Sequence, residues 1–272
     1  MNLHKLILTN NACYKAGQTI LPKGIMVHST GANNPNLRRY IGPDDGLLGK
    51  NPNNNHWNQD RPDGRDVCVH AFIGKLANGS VATYQTLPWN WRGWHCGGSG
   101  NDTHIGFEIC EDGLTDAGYF SAVYQEAVDL CVYLCRLYSL TEKNVICHSE
   151  GFKLGIASNH SDVMHWFPRF GKSMDTFREE VKSGLISGTE KPVVSGDGSA
   201  TFESYQVRVA ISNLNIRTGP GTDYGAVGKC TGIGVFTIVE EAKGAGASKW
   251  GLLKSYKSKR NGWISLDYAN KL

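Results

Sequence analysis

Two histidines, an aspartate and two large aromatics crowd into "NHSDVMHWFP", residues 159–168. His160, Asp162 and His165 could each hold a metal ion, and similar side chains stand elsewhere. His28 closes the strand-like run "GIMVHS", His148 follows "NVIC", and Glu108 lies inside the apolar run "HIGFEIC". A mononuclear zinc hydrolase needs three neutral or anionic protein ligands, an open fourth position for water, and a base near that water. His28, His148 and the trio at 160–165 are candidate ligands. Glu108 is a candidate base, because a carboxylate in an apolar strand costs free energy unless it is paired or used. Taken singly, a histidine on a strand is more often a hydrogen-bonded core residue than a ligand.

The elements that must position these groups are read from hydrophobic periodicity. Runs at 24–29, 67–73, 80–86 and 104–110 are expected strands. Residues 118–138 repeat apolar side chains at three-four spacing, which predicts an amphipathic helix. A second helix is expected over 173–185, with Ser173 as its N-cap. The Asn-, Asp-, Gly- and Pro-rich stretch 32–66 reads as loops with one short helix around "NPNLRRYI". Residues 183–204 are rich in Ser, Gly, Thr and Pro and read as a flexible linker. Beyond it the texture is all-β, with short alternating runs punctuated by glycine turns. The expected organisation is 1–184, a linker at 185–203, and a small unit at 204–272. The fold class is α/β, a mixed central sheet flanked by helices, plus a small all-β barrel.

Composition narrows the function classes. The chain has 272 residues, 40% of them hydrophobic, enough for packed cores. No apolar run approaches the roughly 20 residues of a membrane span. The patch "LILT" near the start is too short for a signal-peptide core, so the chain is expected to be made and kept in the cytoplasm unless something else releases it. Residues 201–272 carry ten Lys/Arg against five Asp/Glu, a net charge of +5, whereas the whole chain is +3. The eight cysteines have no CxxC pair, which excludes a cysteine zinc knuckle. Cys68, Cys110 and Cys147 lie in apolar runs and Cys131 and Cys135 on a hydrophobic helical stripe, so buried free thiols are expected.

The order "GIMVHSTG", "VHAFI", "GSVATYQTLPWNWRGWHCGG", "THIGFEICE", "ICHSEG", "NHSDVMHWF" resembles the amidase-2 family over roughly residues 22–182. These are zinc N-acetylmuramoyl-L-alanine amidases related to peptidoglycan recognition proteins. Residues from "LNIRTGPGTDYGAVG" to "NGWISLDY" resemble a bacterial SH3 domain, a wall-binding module. The combination resembles a phage or prophage endolysin acting on the peptidoglycan of a Gram-positive host. By this resemblance His28, His148 and Asp162 are the zinc ligands, although the Pro-Gly that follows the third ligand in relatives is absent here. Glu108 matches the acid that acts on water, and His160 stands where many relatives place a transition-state lysine. His165 is then a neighbour of the site. His95, in "GWHCGG", matches a loop lining the substrate groove and is a candidate substrate contact. His70 is expected to pack beside the site and His104 to be structural or solvent-facing. Three rivals remain: a non-catalytic peptidoglycan binder, a thiol wall peptidase, and a structural zinc closed by His165. The basic run at 254–260 reads as a solvated hairpin.

Overall fold

In the computed structural model, which describes residues 1–187, 204–254 and 262–272, the apolar runs of the first unit build one sheet. Its elements are β1 (Leu3–Lys5), α1 (Ala12–Ala16), β2 (Gly24–Asn33), β3 (Ala71–Lys75), β4 (Val81–Gln85), β5 (His104–Glu111), α2 (Ala117–Tyr138), β6 (Val145–Cys147), α3 (His148–Lys153) and α4 (Met174–Ser187). The strand order is β1-β4-β3-β5-β2-β6. Only β3 and β4 pair antiparallel; the other neighbours are parallel. The central strands β5 and β2 carry fully buried apolar residues, Ile105, Phe107 and Ile109 on one and Ile25, Met26 and Val27 on the other, as strands covered on both faces do.

Helix α2 starts where the Asp116 carboxylate accepts the Tyr119 N–H at 3.0 Å. Its periodic residues Phe120, Val123, Tyr124, Ala127, Val128, Cys131 and Leu134 are buried. Ser173 accepts the Thr176 N–H at 3.2 Å and starts α4, as its type and position predict. Phe120 and Tyr124 of α2 meet Trp166 and Phe167, and Tyr124 also meets Phe177 of α4, at centroid distances of 5.3–5.8 Å. Each such fully buried side chain contributes roughly 1.5–3 kcal/mol. The aromatics "WF" of the 159–168 stretch are therefore core, and they fix the turn in front of them. The loop-rich region holds two short 3-10 helices, Leu37–Arg39 and Pro62–Gly64, and Leu37 of the first joins Tyr40, Trp57, Phe72 and Tyr84 in a second cluster.

Two expectations are corrected. The strand expected from residue 67 begins at Ala71, because Cys68 instead bridges Trp94. Cys68 is not a free thiol: it is disulfide-bonded to Cys13 of α1. The two lie 55 residues apart, and only the docking of α1 brings them together, so an apolar context alone could not reveal the pair. Cys96, Cys110, Cys131, Cys135 and Cys147 are buried and free, and Cys230 is free and half-buried.

The second unit is an antiparallel sheet of β7 (Tyr205–Val209), β8 (Asn215–Arg217), β9 (Ala226–Cys230), β10 (Gly234–Gly244), β11 (Ala247–Leu253), β12 (Trp263–Ser265) and β13 (Ala269–Lys271). Its core is Val207, Val209, Leu214, Ile216, Ile238, Leu253 and Ile264. The molecule is thus an α/β unit with a mixed sheet plus a separate all-β unit. Linker residues 188–203 and residues 255–260 of the basic run lie outside the described residues. No described helix is long and apolar enough to cross a membrane.

Candidate metal centre

Strand register assembles most of the site. Glu108 on β5 pairs with His28 on β2, and Val27 pairs with Cys147 on β6. In-register residues of parallel strands project from the same face, so Glu108 and His28 stand side by side. His148, the residue after β6, lies beyond His28. The fourth group arrives from the turn after α3, where Asp162 C=O accepts the Ser149 N–H at 3.3 Å. Val163, Trp166 and Phe167, each 0% exposed, pin that turn into the core. Arg178 of α4 holds the start of α3 through a two-pronged ion pair with Glu150, at 2.9 and 3.0 Å.

His28 Nδ1 and His148 Nδ1 are 3.0 Å apart, and Asp162 Oδ2 lies 3.5 Å from the first and 3.4 Å from the second. Tetrahedral zinc with bonds of about 2.0–2.1 Å separates its ligand atoms by about 3.3–3.4 Å. The three atoms form a triangle of that size, and a nitrogen–nitrogen–oxygen donor set suits zinc. Among the described residues, this is the group of three able to hold a metal. The residues present fit the ion.

The electrostatics agree with that use. Burial lowers the His28 pKa, which keeps its ring neutral and able to ligate. Burial works to raise the Asp162 carboxyl, but the His148 and His28 rings beside it outweigh that and hold the group well below the usual carboxylate range. Glu108 behaves oppositely. Burial first, then the charges of Asp162 and Glu111, push its carboxyl well above the ordinary value. Glu108 Oε2 is buried without a hydrogen-bond partner among the described residues. A desolvated carboxyl beside the triangle is poised to take and return a proton.

The other histidines divide by contact. His160 is exposed, with its ring 4.8 Å from that of His148. His165 turns away: its Nε2 meets Glu111 Oε1 at 2.9 Å, and the same oxygen accepts the Gly31 N–H at 3.1 Å. His70 is 0% exposed, donating from Nε2 to the Trp91 carbonyl at 2.7 Å and accepting the Gly106 N–H at Nδ1 at 3.0 Å. His95 is half-buried behind His28, with its Nδ1 2.9 Å from His28 Nε2. His104, at the start of β5, contacts Thr103 Oγ1 at 2.9 Å. Burial raises the Cys147 thiol, against a thiolate role. Sequence reasoning missed Ser158, whose Oγ lies 3.3 Å from His148 Nε2. A single serine in an irregular stretch carries no periodic or motif signal.

The chain is similar to the solved structure of PlyL, with 22% identity over 68% of this chain and 98% of that one, and a TM-score of 0.47. It is also similar to the Staphylococcus aureus hydrolase AmiA in complex with its ligand, at 18% identity over 69% and 84%, TM-score 0.48. A mutant endolysin from Bacillus subtilis gives 23% identity over 66% and 99%, TM-score 0.45. No curated protein sequence matches it. The Amidase_2 family, described as N-acetylmuramoyl-L-alanine amidase, matches residues 17–164. That span is more than half of the chain and contains His28, Glu108, His148, His160 and Asp162, so the chain belongs to the Amidase_2 family.

Proposed function

We propose that the chain is a zinc-dependent peptidoglycan amidase. It hydrolyses the amide between the lactyl group of N-acetylmuramic acid and L-alanine, with His28, His148 and Asp162 as zinc ligands. The observation that carries this reading is the His28–His148–Asp162 triangle with the unpartnered Glu108 carboxyl beside it. The chemistry supplied by a bound zinc is Lewis acidity toward water and the scissile carbonyl. Glu108 takes a proton from the attacking water and returns it to the departing alanine nitrogen as the carbon–nitrogen bond breaks. The products are a lactyl carboxylate and a peptide with a free amino terminus. His160, at the exposed edge of the His148 ring, donates an N–H to the developing oxyanion. Asp162 supplies a negative charge that offsets the ion and keeps the site less positive than three histidines would.

The all-β unit is, in this reading, a bacterial SH3 module that binds a Gram-positive wall, joined to the catalytic unit 1–184 through a linker at 185–203. Its own hydrophobic core and the "LNIRTGPGTDYG" stretch support that assignment. The biological role that follows is an endolysin or autolysin. Burial raises the thiols of Cys110, Cys131 and Cys147, which disfavours a thiol peptidase. The engagement of His165 by Glu111 disfavours a fourth protein ligand.

Metal analysis of purified variants tests the ligand set. Wild type and His165→Ala should each retain one zinc per chain, and Asp162→Ala should lose it. Loss in the His165 variant with retention in the Asp162 variant would overturn the assignment. Hydrolysis of a soluble muramoyl peptide should stop with a chelator and survive thiol alkylation; the reverse pattern would favour a thiol peptidase.

A further inference from the structure

We propose that His95 and Ser158 are positioning residues that fix both histidines of the triangle with a bare Nδ1. The loop from Gly93 to Asn101 is built to hold that arrangement. The proposal rests on the zinc reading only for the identity of the ion; the hydrogen-bond chains themselves do not depend on it.

The chains are read from their ends, where the direction is fixed, because a backbone carbonyl only accepts. His95 Nε2 lies 3.2 Å from the His104 carbonyl, so that nitrogen carries the hydrogen. A neutral imidazole then has a bare Nδ1. The partner of that Nδ1, at 2.9 Å, is His28 Nε2, which must donate. His28 Nδ1 is left bare. The second chain runs in parallel. Ser158 Oγ donates to the Cys96 carbonyl at 3.2 Å, so its lone pair accepts from His148 Nε2 at 3.3 Å. His148 Nδ1 is bare as well. Two bare nitrogens 3.0 Å apart, with a carboxylate oxygen at 3.4–3.5 Å, place three acceptors together without a hydrogen among them. A cation satisfies that arrangement.

The first chain passes through His95 and the second ends on the Cys96 carbonyl, adjacent positions of one loop. The Asn101 side chain accepts the backbone N–H of His95 at 2.9 Å and of Cys96 at 3.1 Å. The Ser158 N–H adds a 2.8 Å bond to the Cys96 carbonyl. Two glycines clear space for the His95 ring. A Cβ on Gly106 of β5 would fall 2.4 Å from His95 Nδ1, and one on Gly93 would fall 2.8 Å from its Cδ2. The ring therefore lies directly on the strand that carries Glu108, two residues from it. Partners that orient a metal-binding histidine typically change metal affinity 10–100-fold when removed.

The test uses the full chain with His95→Ala, His95→Gln, Ser158→Ala and Ser158→Thr. Zinc affinity is measured by chelator competition, and the protonated nitrogen of His28 is read by long-range proton–nitrogen NMR in the metal-free protein. Wild type should show the hydrogen on Nε2 of His28. His95→Ala should weaken zinc binding about 10–100-fold and lose the single tautomer. His95→Gln, whose amide both accepts and donates, should recover most of the affinity. Ser158→Ala should weaken binding and Ser158→Thr should not. If His95→Ala does not fold, the Ser158 pair reads the same prediction at the other ligand. A folded His95→Ala with wild-type zinc affinity and an unchanged His28 tautomer overturns the proposal, as does a hydrogen on Nδ1 of His28 in wild type. If wild type binds no zinc, the zinc reading fails, and the tautomer measurement still decides the relay.

Discussion

Glu108 sits in an environment that an ordinary strand position does not require. Its carboxyl is desolvated near the charges of Asp162 and Glu111, in register with His28, with one oxygen unpartnered among the described residues. Glu108→Ala should fold and bind zinc normally while losing activity about 10²–10⁴-fold, the usual cost of removing a general base. Near-full turnover on purified peptidoglycan would reduce it to a core acid. His160→Ala should lose less rate with zinc retained, and an unchanged rate would remove its role as oxyanion donor. His70 contributes at the same scale through stability. Burial lowers its pKa to about 4, and both ring nitrogens are committed to backbone groups. Below pH 6.5 the unfolded chain takes up a proton that the native ring refuses, so stability falls as pH drops from about 6.5 to about 4. That residue alone accounts for up to about 3 kcal/mol. Urea unfolding across this range should show the loss, and His70→Gln should flatten part of it; a pH-independent midpoint would contradict the assignment.

At the scale of elements, the strands and helices that carry the site were legible because their apolar periodicity is strong. The 118–138 pattern became α2 and the 104–110 run became β5 within a residue or two. Glu108 and His28 were legible as candidates because polar side chains in apolar strands stand out. Their adjacency was not, since the register of β2 with β5 is a tertiary property. Short elements such as β6 and α3 carry too few residues for a period to show, and His148 sits where the two meet. The Cys13–Cys68 bond was hidden for the same reason: α1 is five residues long and its docking is decided by the whole fold. Closing a 55-residue separation should stabilise the unit by roughly 2–4 kcal/mol through the unfolded chain. Cys13→Ser with Cys68→Ser should lower the melting temperature without removing zinc. An unchanged melting temperature, or one insensitive to reductant in wild type, would show that the bond contributes nothing.

At the scale of the whole molecule, every candidate ligand and the candidate base lie in the α/β unit, while the net +5 of residues 201–272 sits with the all-β unit. In the proposed arrangement, tethering by residues 185–203 raises the local concentration of the catalytic unit at an insoluble substrate. Truncation near Gly188 should leave hydrolysis of a soluble muropeptide almost unchanged and reduce binding to intact walls. The electrostatic part of that binding should weaken with salt. Loss of soluble-substrate activity in a well-folded truncation would mean that the small unit completes the active site. The central claim concerns which bond breaks, and mass spectrometry of purified peptidoglycan digested by the full chain tests it most directly. Stem peptides released with a free N-terminal L-alanine, and glycan strands retaining intact lactyl carboxylates, are the predicted products. Cleavage within the peptide or the glycan, with the lactyl amide left whole, would contradict the account.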